Sequence, residues 1–253
     1  MRARATSACL LLLGMAAAWP AGAAAKPVSF PHGTVDLTYT AKKPGSPTGS
    51  SFTGRYHAAG DPEAYPPYMR KMTFNLPRGM RYDTSVPARC TASDLELALR
   101  GPAACPPGSR LGGGTADGLV MERFPSTIDV DAFNNEGEQV MVARTPFFAT
   151  VIRARIAAGG SSISFASPTC YPSTPAGCPV DNVRQLGSSV TLPPYRRSGG
   201  GTIRSYLTTP SRCPKSRHWR SVIKFWWDDG STDRVVTRQP CKRRRAKSRR
   251  RAA

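Results

Sequence analysis

Ser221-Val222-Ile223-Lys224-Phe225-Trp226-Trp227, then Asp228-Asp229-Gly230-Ser231, then a return run over residues 234–238, is the stretch that decides the fold. A β-branched and aromatic run, a turn of Asp, Gly and Ser, and a second β-rich run make an antiparallel hairpin. Side chains of a strand alternate between its faces. Ile223, Phe225 and Trp227 therefore share one face, and Val222, Lys224 and Trp226 the other. The first face is the more apolar, so Trp227 is expected to be more buried than Trp226. A strand apolar on both faces fits either a central position or one exposed aromatic surface.

The alternation recurs upstream. Val35, Leu37 and Tyr39 share a face; Phe52, Gly54, Tyr56 and Ala58 repeat it, with Arg55 and His57 opposite; Met72, Phe74 and Leu76 form a run stopped by Pro77. Residues 127–133 and 139–144 flank Asn134-Asn135-Glu136-Gly137, a hairpin turn. Ile152, Ala154 and Ile156 oppose Arg153 and Arg155, and Ile163 and Phe165 follow. One helix is expected over residues 91–99, capped by Thr91 with Asp94 as its reciprocal partner and stopped by Gly101-Pro102. Glycine (23) and proline (24) are frequent, so the elements are short and joined by loops at 43–51, 61–67, 168–177 and 193–201. The two Gly-Gly-Gly-Thr runs, at Gly112 and Gly199, read as flexible loops. The fold class is mainly β: sandwich-like antiparallel sheets with long loops and one short helix.

Residues 1–25 read as a cleavable secretion signal. Arg2 and Arg4 form the charged region, residues 9–18 the apolar region, and Ala23-Ala24-Ala25 the small-residue cleavage site. The organisation is then a signal peptide (1–25), a β-sandwich-like secreted domain (26–241) and a basic tail (242–253). No later run approaches the ~20 apolar residues of a spanning helix, so no transmembrane segment is expected in the mature chain. The expected location is secreted or extracellular, with retention at the cell envelope if the tail binds there.

An oxidising compartment turns Cys90, Cys105, Cys170, Cys178, Cys213 and Cys241 into disulfide candidates. Spacing favours neighbours: Cys90 with Cys105, Cys170 with Cys178, Cys213 with Cys241. Zinc is the rival use, but no Cys-x-x-Cys occurs, and His32, His57 and His218 sit at no ligand spacing. No metal or other cofactor is implied.

The formal net charge is +20. Lys242, Arg243, Arg244, Arg245, Lys247, Arg249, Arg250 and Arg251 carry eight of those charges in a tail whose self-repulsion predicts disorder. Its partners must be acidic: envelope polymers or lipid head groups. A second cationic site is suggested by Trp219, Arg220, Lys224 and Trp226, where aromatic faces and charges could hold an acidic glycan or nucleic acid. The alternative for that segment is a tryptophan-rich core strand.

The run Leu76-Pro77-Arg78-Gly79, then Cys90, then Cys105-Pro106-Pro107-Gly108-Ser109-Arg110-Leu111-Gly112-Gly113-Gly114, resembles a pattern of secreted, cysteine-paired, β-rich proteins of high-GC actinobacteria, a group with no known activity. So does Thr209-Pro210-Ser211-Arg212-Cys213-Pro214 with Trp219, Asp229-Gly230 and Cys241. The resemblance covers about a third of the chain. It implies secretion and cysteine pairing, and no catalytic residue.

Catalytic signatures are missing from the sequence: no Gly-x-Ser-x-Gly elbow, His-Glu-x-x-His, phosphate-binding loop or dinucleotide fingerprint. Ser221 and Lys224 form a Ser-x-x-Lys, but on a strand that spacing puts them on opposite faces. Glu122, Asp129, Asp131, Glu136 and Glu138 could serve glycoside hydrolysis or calcium, as could residues 228–233 for calcium; a solvated face and a hairpin turn are the plainer readings. The expected function is that of a non-catalytic binding protein, associated with the envelope or with extracellular anionic surfaces. The alternatives are an acidic-polysaccharide or nucleic-acid binder using the last hairpin, and a secreted hydrolase with carboxylates from separate strands. Nothing in the sequence sets an oligomeric state.

Overall fold

The computed structural model describes residues 26–146, 149–166, 169–171, 183–199 and 201–242. Residues 1–25, the expected secretion signal, lie outside them. β1 (Val28–Phe30), β2 (Gly33–Tyr39), β3 (Ser50–Tyr56), β4 (Met69–Asn75) and β5 (Arg81–Tyr82) precede the helix α1 (Asp94–Arg100). β6 (Arg110–Val120), β7 (Phe124–Asn135), β8 (Glu138–Arg144), β9 (Ala149–Ile156), β10 (Ser162–Ala166) and β11 (Thr169–Tyr171) follow. β12 (Val183–Leu192), β13 (Arg196–Gly199), β14 (Thr202–Ser205), β15 (Leu207–Thr208), β16 (His218–Trp227) and β17 (Thr232–Pro240) complete the described chain.

The mainly β expectation holds, but the sandwich does not. One antiparallel sheet runs β1-β2-β3-β12-β6-β7-β8-β9-β10-β4-β16-β17, with β11 beside β9, and β17 curls round to pack against β1 and β2. The result is barrel-like. Alternation along a strand says which face is buried, and it is the same for two stacked sheets and for one sheet closed on itself. What distinguishes them here is long-range pairing, β3 with β12 and β4 with β16, which leaves no local trace.

Inward positions are apolar and outward ones polar: Val35, Leu37 and Tyr39 in β2, Phe52 and Tyr56 in β3, Ile223, Phe225 and Trp227 in β16 are buried, while Arg55, Arg220, Lys224 and Arg234 are exposed. That is the reverse of a barrel whose outer face meets lipid tails. Trp227 is buried (3 %) and Trp226 only partly so, as the alternation requires. Ser221 points in and Lys224 out, which separates the Ser-x-x-Lys pair.

Gly112 to Gly114 are part of β6 and not a flexible loop. β12 crosses so close that a Cβ on Gly114 would sit 1.8 Å from the Ser189 carbonyl oxygen. The helix is present, but its cap is Ser93: the Glu96 amide donates to Ser93 Oγ (3.3 Å) and the Ser93 amide to Glu96 Oε2 (2.8 Å). The reciprocal residue must stand three positions past the cap, and Glu96 has the longer reach. Leu97 then packs with Phe133, Val140, Val142 and Val151 outside the barrel wall, so that wall is buried on both faces.

The seam between β17 and β1–β2 is closed by side chains. The Tyr39 amide donates to Gln239 Oε1 (2.5 Å), and Gln239 Nε2 donates to the Tyr39 carbonyl. One side-chain amide thus replaces the peptide group a ladder would have supplied. Towards the other end, Asp233 Oδ2 lies 2.7 Å from His32 Nδ1 and accepts from Trp227 Nε1 at 2.7 Å. Phe30 stacks on Phe225 with centroids 5.0 Å apart, across the same seam.

Cys90–Cys105 and Cys213–Cys241 are disulfides, at sequence separations of 15 and 28. The third expected pair involves Cys178, which lies outside the described residues.

Candidate functional site

The barrel is not filled. A cavity of about 230 Å³ lies inside it, room for several waters. Its walls are the inward faces of the strands: Leu37 and Phe52; Met72 and Phe74 of β4; Ile128 and Val130 of β7; Met141 and Ala143 of β8; Ile152, Ile163 and Phe165; Val183, Val190 and Leu192 of β12. Phe74 stands edge-on to both Phe52 (5.0 Å) and Phe165 (5.7 Å), making one aromatic wall. Met69, Met72 and Met141 supply side chains that adapt to irregular shapes.

One end is closed. Met80, Tyr206 and Leu207 are buried beneath the cavity, and Asn134 Nδ2 donates to the carbonyls of Thr84 (2.9 Å) and Ala88 (3.0 Å). At the other end, Tyr68, Arg70, Lys71, Asp117 and Gln185 line the space, and the exposure of Arg70 and Lys71 brings it to the surface. Part of this mouth is clasped. The Tyr68 hydroxyl donates to Glu122 Oε1 (2.6 Å), Arg184 Nη2 to the same oxygen (2.6 Å), and Arg184 Nη1 to the Pro66 carbonyl (2.5 Å). The Arg184 guanidinium also lies 4.5 Å over the Tyr68 ring. The Tyr68 hydroxyl, then Arg184, hold the Glu122 carboxyl below its ordinary pKa.

The cavity wall carries an unsatisfied polar group. Ser188 Oγ has no hydrogen-bond partner, nor does the Tyr56 hydroxyl beside it. Burial pushes the Tyr56 phenol above its ordinary pKa, opposed by the neighbouring Ser188 hydroxyl. An unmet buried hydroxyl costs about 1–3 kcal/mol, which a ligand oxygen or nitrogen there would offset.

The four candidate ligand residues do not form one site. Trp219 is on the inward face, 3 % exposed, with its Nε1 unpartnered. Arg220 and Lys224 are outward and exposed, and Trp226 is outward and half-buried, with Lys71 Nζ 5.0 Å over its ring. Of the tail cations, the Lys242 amide donates to the Lys42 carbonyl (2.7 Å); Arg243, Arg244, Arg245, Lys247, Arg249, Arg250 and Arg251 lie outside the described residues.

The acidic cluster is dispersed: Asp129 is exposed, and the other four carboxylates meet arginines, Glu122 meeting Arg184 as above. Asp131 lies between Arg110 (2.8 Å) and Arg144 (3.2 Å), Glu136 meets Arg89 (2.7 Å), and Glu138 meets Arg153 (2.6 Å). In the last turn Asp228 accepts from the Tyr68 amide (2.8 Å) and Asp229 from Ser231 Oγ (2.6 Å). Among the described residues no group of three or more His, Cys, Asp or Glu is placed to hold a metal ion.

Sequence reasoning missed the cavity and the His32–Asp233–Trp227 cluster. Inward apolar residues look alike in sequence whether they touch across the middle or leave a void. Compared with protein-family models, curated proteins and solved structures, the chain matches none of them.

Proposed function

We propose that this chain is a non-catalytic carrier, working outside the cytosol, that holds an apolar small molecule inside the barrel. The cavity is the observation that carries the reading: concave, apolar, preformed, with few polar groups in its wall. It is smaller than the roughly 300–1,000 Å³ of drug-sized pockets, so the buried part is a short acyl chain or a single ring system. The two disulfides support an oxidising compartment.

Titration with the uncharged fluorophore N-phenylnaphthylamine tests it. The mature protein should bind the probe saturably. Ala143→Trp should weaken binding by at least about tenfold without lowering the melting temperature, because its side chain enters empty space. Ala116→Leu, a smaller filling, should weaken it less. Probe binding indifferent to both variants would end the carrier reading.

A second reading, an acidic-polymer site on the last hairpin, is favoured by one observation. Arg220 stands directly across from Arg238, and Lys224 from Arg234, on the outer face. Like charges opposite each other destabilise a ladder, and no ion pair among the described residues relieves them. A linear polyanion along β16–β17 would. A double variant, Arg220→Gln with Lys224→Gln, should then lose heparin retention while keeping probe binding. Envelope retention by residues 242–253 is a separate proposal: removing them should release the protein from envelope fractions at unchanged melting temperature.

A further inference from the structure

The open end carries apolar surface that the cavity does not use. Met121 (57 %), Phe124 (54 %) and Tyr65 (55 %) are exposed, and all three stand at this rim. Met121 and Phe124 lie at the tip of the β6–β7 hairpin; Tyr65 precedes Pro66, whose carbonyl is clasped by Arg184. The tip projects beyond its neighbours. On one side β7 begins pairing with β8 only at Asp129, so Phe124 to Ile128 stand above that strand. On the other, β12 begins pairing with β3 only at Gly187, so Val183 to Gln185 stand above it too.

The turn is also built from unfavourable residues. Met121 (φ 51°) and Glu122 (φ 54°) both occupy the left-handed region, with the Arg123 amide donating to the Val120 carbonyl at 3.1 Å. Successive positive-φ positions in a tight hairpin turn favour Asn and Gly. A bulky apolar side chain held at such a position and turned to solvent gains nothing for the fold. Its charges suit one partner. Glu122 is neutralised by Arg184, Arg123 stands 5.8 Å from the Phe124 ring, and Lys71 lines the mouth. Asp117, lower on the same hairpin, lines the mouth, and the carboxylates of Asp61, Glu63, Asp228 and Asp229 belong to other turns at this end, so the contact is centred on the hairpin tip.

We propose that this tip docks the open end of the barrel on an anionic lipid surface, with Met121 and Phe124 entering the head-group boundary and Arg123 and Lys71 meeting lipid phosphates. The inference rests on the carrier reading, since docking sets the mouth where an apolar ligand is dissolved. The basic tail leaves from the opposite end, after Cys241, so the two attachments are separable.

The test is co-sedimentation of the full mature chain with phosphatidylglycerol-rich vesicles at ~0.5 M NaCl, where screening over roughly 4 Å suppresses the tail's attraction. The parent should bind. The Met121→Ser, Phe124→Ser double variant should bind about tenfold or more weakly, with tail and cavity intact. Met121→Gly should weaken docking while keeping or raising the melting temperature, because glycine accepts the left-handed turn. Equal binding of parent and double variant, including no binding by either, overturns the proposal. Probe titration without vesicles reports on the carrier reading separately: lost probe binding with retained docking would overturn that reading and leave this surface standing.

Discussion

The two ends of the barrel are made differently. At the closed end lie the two disulfides, the buried Met80, Tyr206 and Leu207, and an asparagine amide satisfying carbonyls of the loop beneath. At the open end the contacts are charged and partly wet: Glu122, Arg184 and Tyr68 hold a loop against a hairpin whose apolar tip faces solvent. Constraints that act on the unfolded chain and buried apolar area are not screened by salt. Exposed ion pairs contribute little and are screened by salt. The comparison teaches that stability is invested away from the mouth, which leaves the mouth free to carry strain and exposed apolar groups. The exception is the seam, where Trp227 and Asp233 anchor the open end from inside.

That exception gives the largest expected effect. Trp227→Ala removes a buried aromatic and leaves Asp233 without one of its donors, and should cost about 3–5 kcal/mol in chemical denaturation. Trp226→Ala, one residue earlier but outward, should cost under about 1 kcal/mol. Equal costs would erase the inward–outward division along β16.

The closed end comes next. Replacing Cys213 and Cys241 together by serine opens a 28-residue link and should cost about 3–4 kcal/mol, seen as a fall in melting temperature of roughly 6–15 °C. Probe affinity should survive wherever the protein is folded. If affinity falls with stability unchanged, the ends are coupled and the contrast fails.

Gln239→Leu strands the Tyr39 amide and carbonyl at the seam and should cost about 2–3 kcal/mol. Hydrogen exchange should quicken first in β17 and β2, leaving the amides of the β6–β7 ladder protected.

The smallest effect is at the rim. The folded Glu122 carboxyl has a lowered pKa, caused first by the Tyr68 hydroxyl and then by Arg184. Its contribution is therefore complete above the ordinary carboxylate pKa and lost as pH falls through the folded value. Accessibility of the 65–68 loop to protease should be flat from neutral to mildly acid pH and rise only below the usual carboxylate range. Glu122→Gln should remove that acid limb. A rise near neutrality would contradict the clasp.

Much of this was legible in particular residues. Ile223, Phe225 and Trp227 announced the inward face of the last strand, and cysteine spacing announced two disulfides. The closure was not legible. Tyr39 and Gln239 are 200 residues apart, and His32 and Asp233 are 201 apart, and neither pair carries a local pattern. The same limit hid the site: Met72, Ile128, Met141 and Val190 come from four strands, and only the closed sheet places them round one space. The ligand hypothesis built on Trp219, Arg220, Lys224 and Trp226 came from composition, and strand alternation, applied to all four residues, separates Trp219 from the other three.

Closing the seam by side chains has a consequence for solubility. A sheet whose first and last strands meet without a ladder still has two edges, each able to template another chain. Here they are turned towards each other, and outward-facing Arg234 and Arg238 discourage the approach of a like-charged copy. Separating them would present two long, twisted ribbons with unpaired peptide groups, so the first sign of a failing seam should be self-association at raised salt, before any loss of secondary structure.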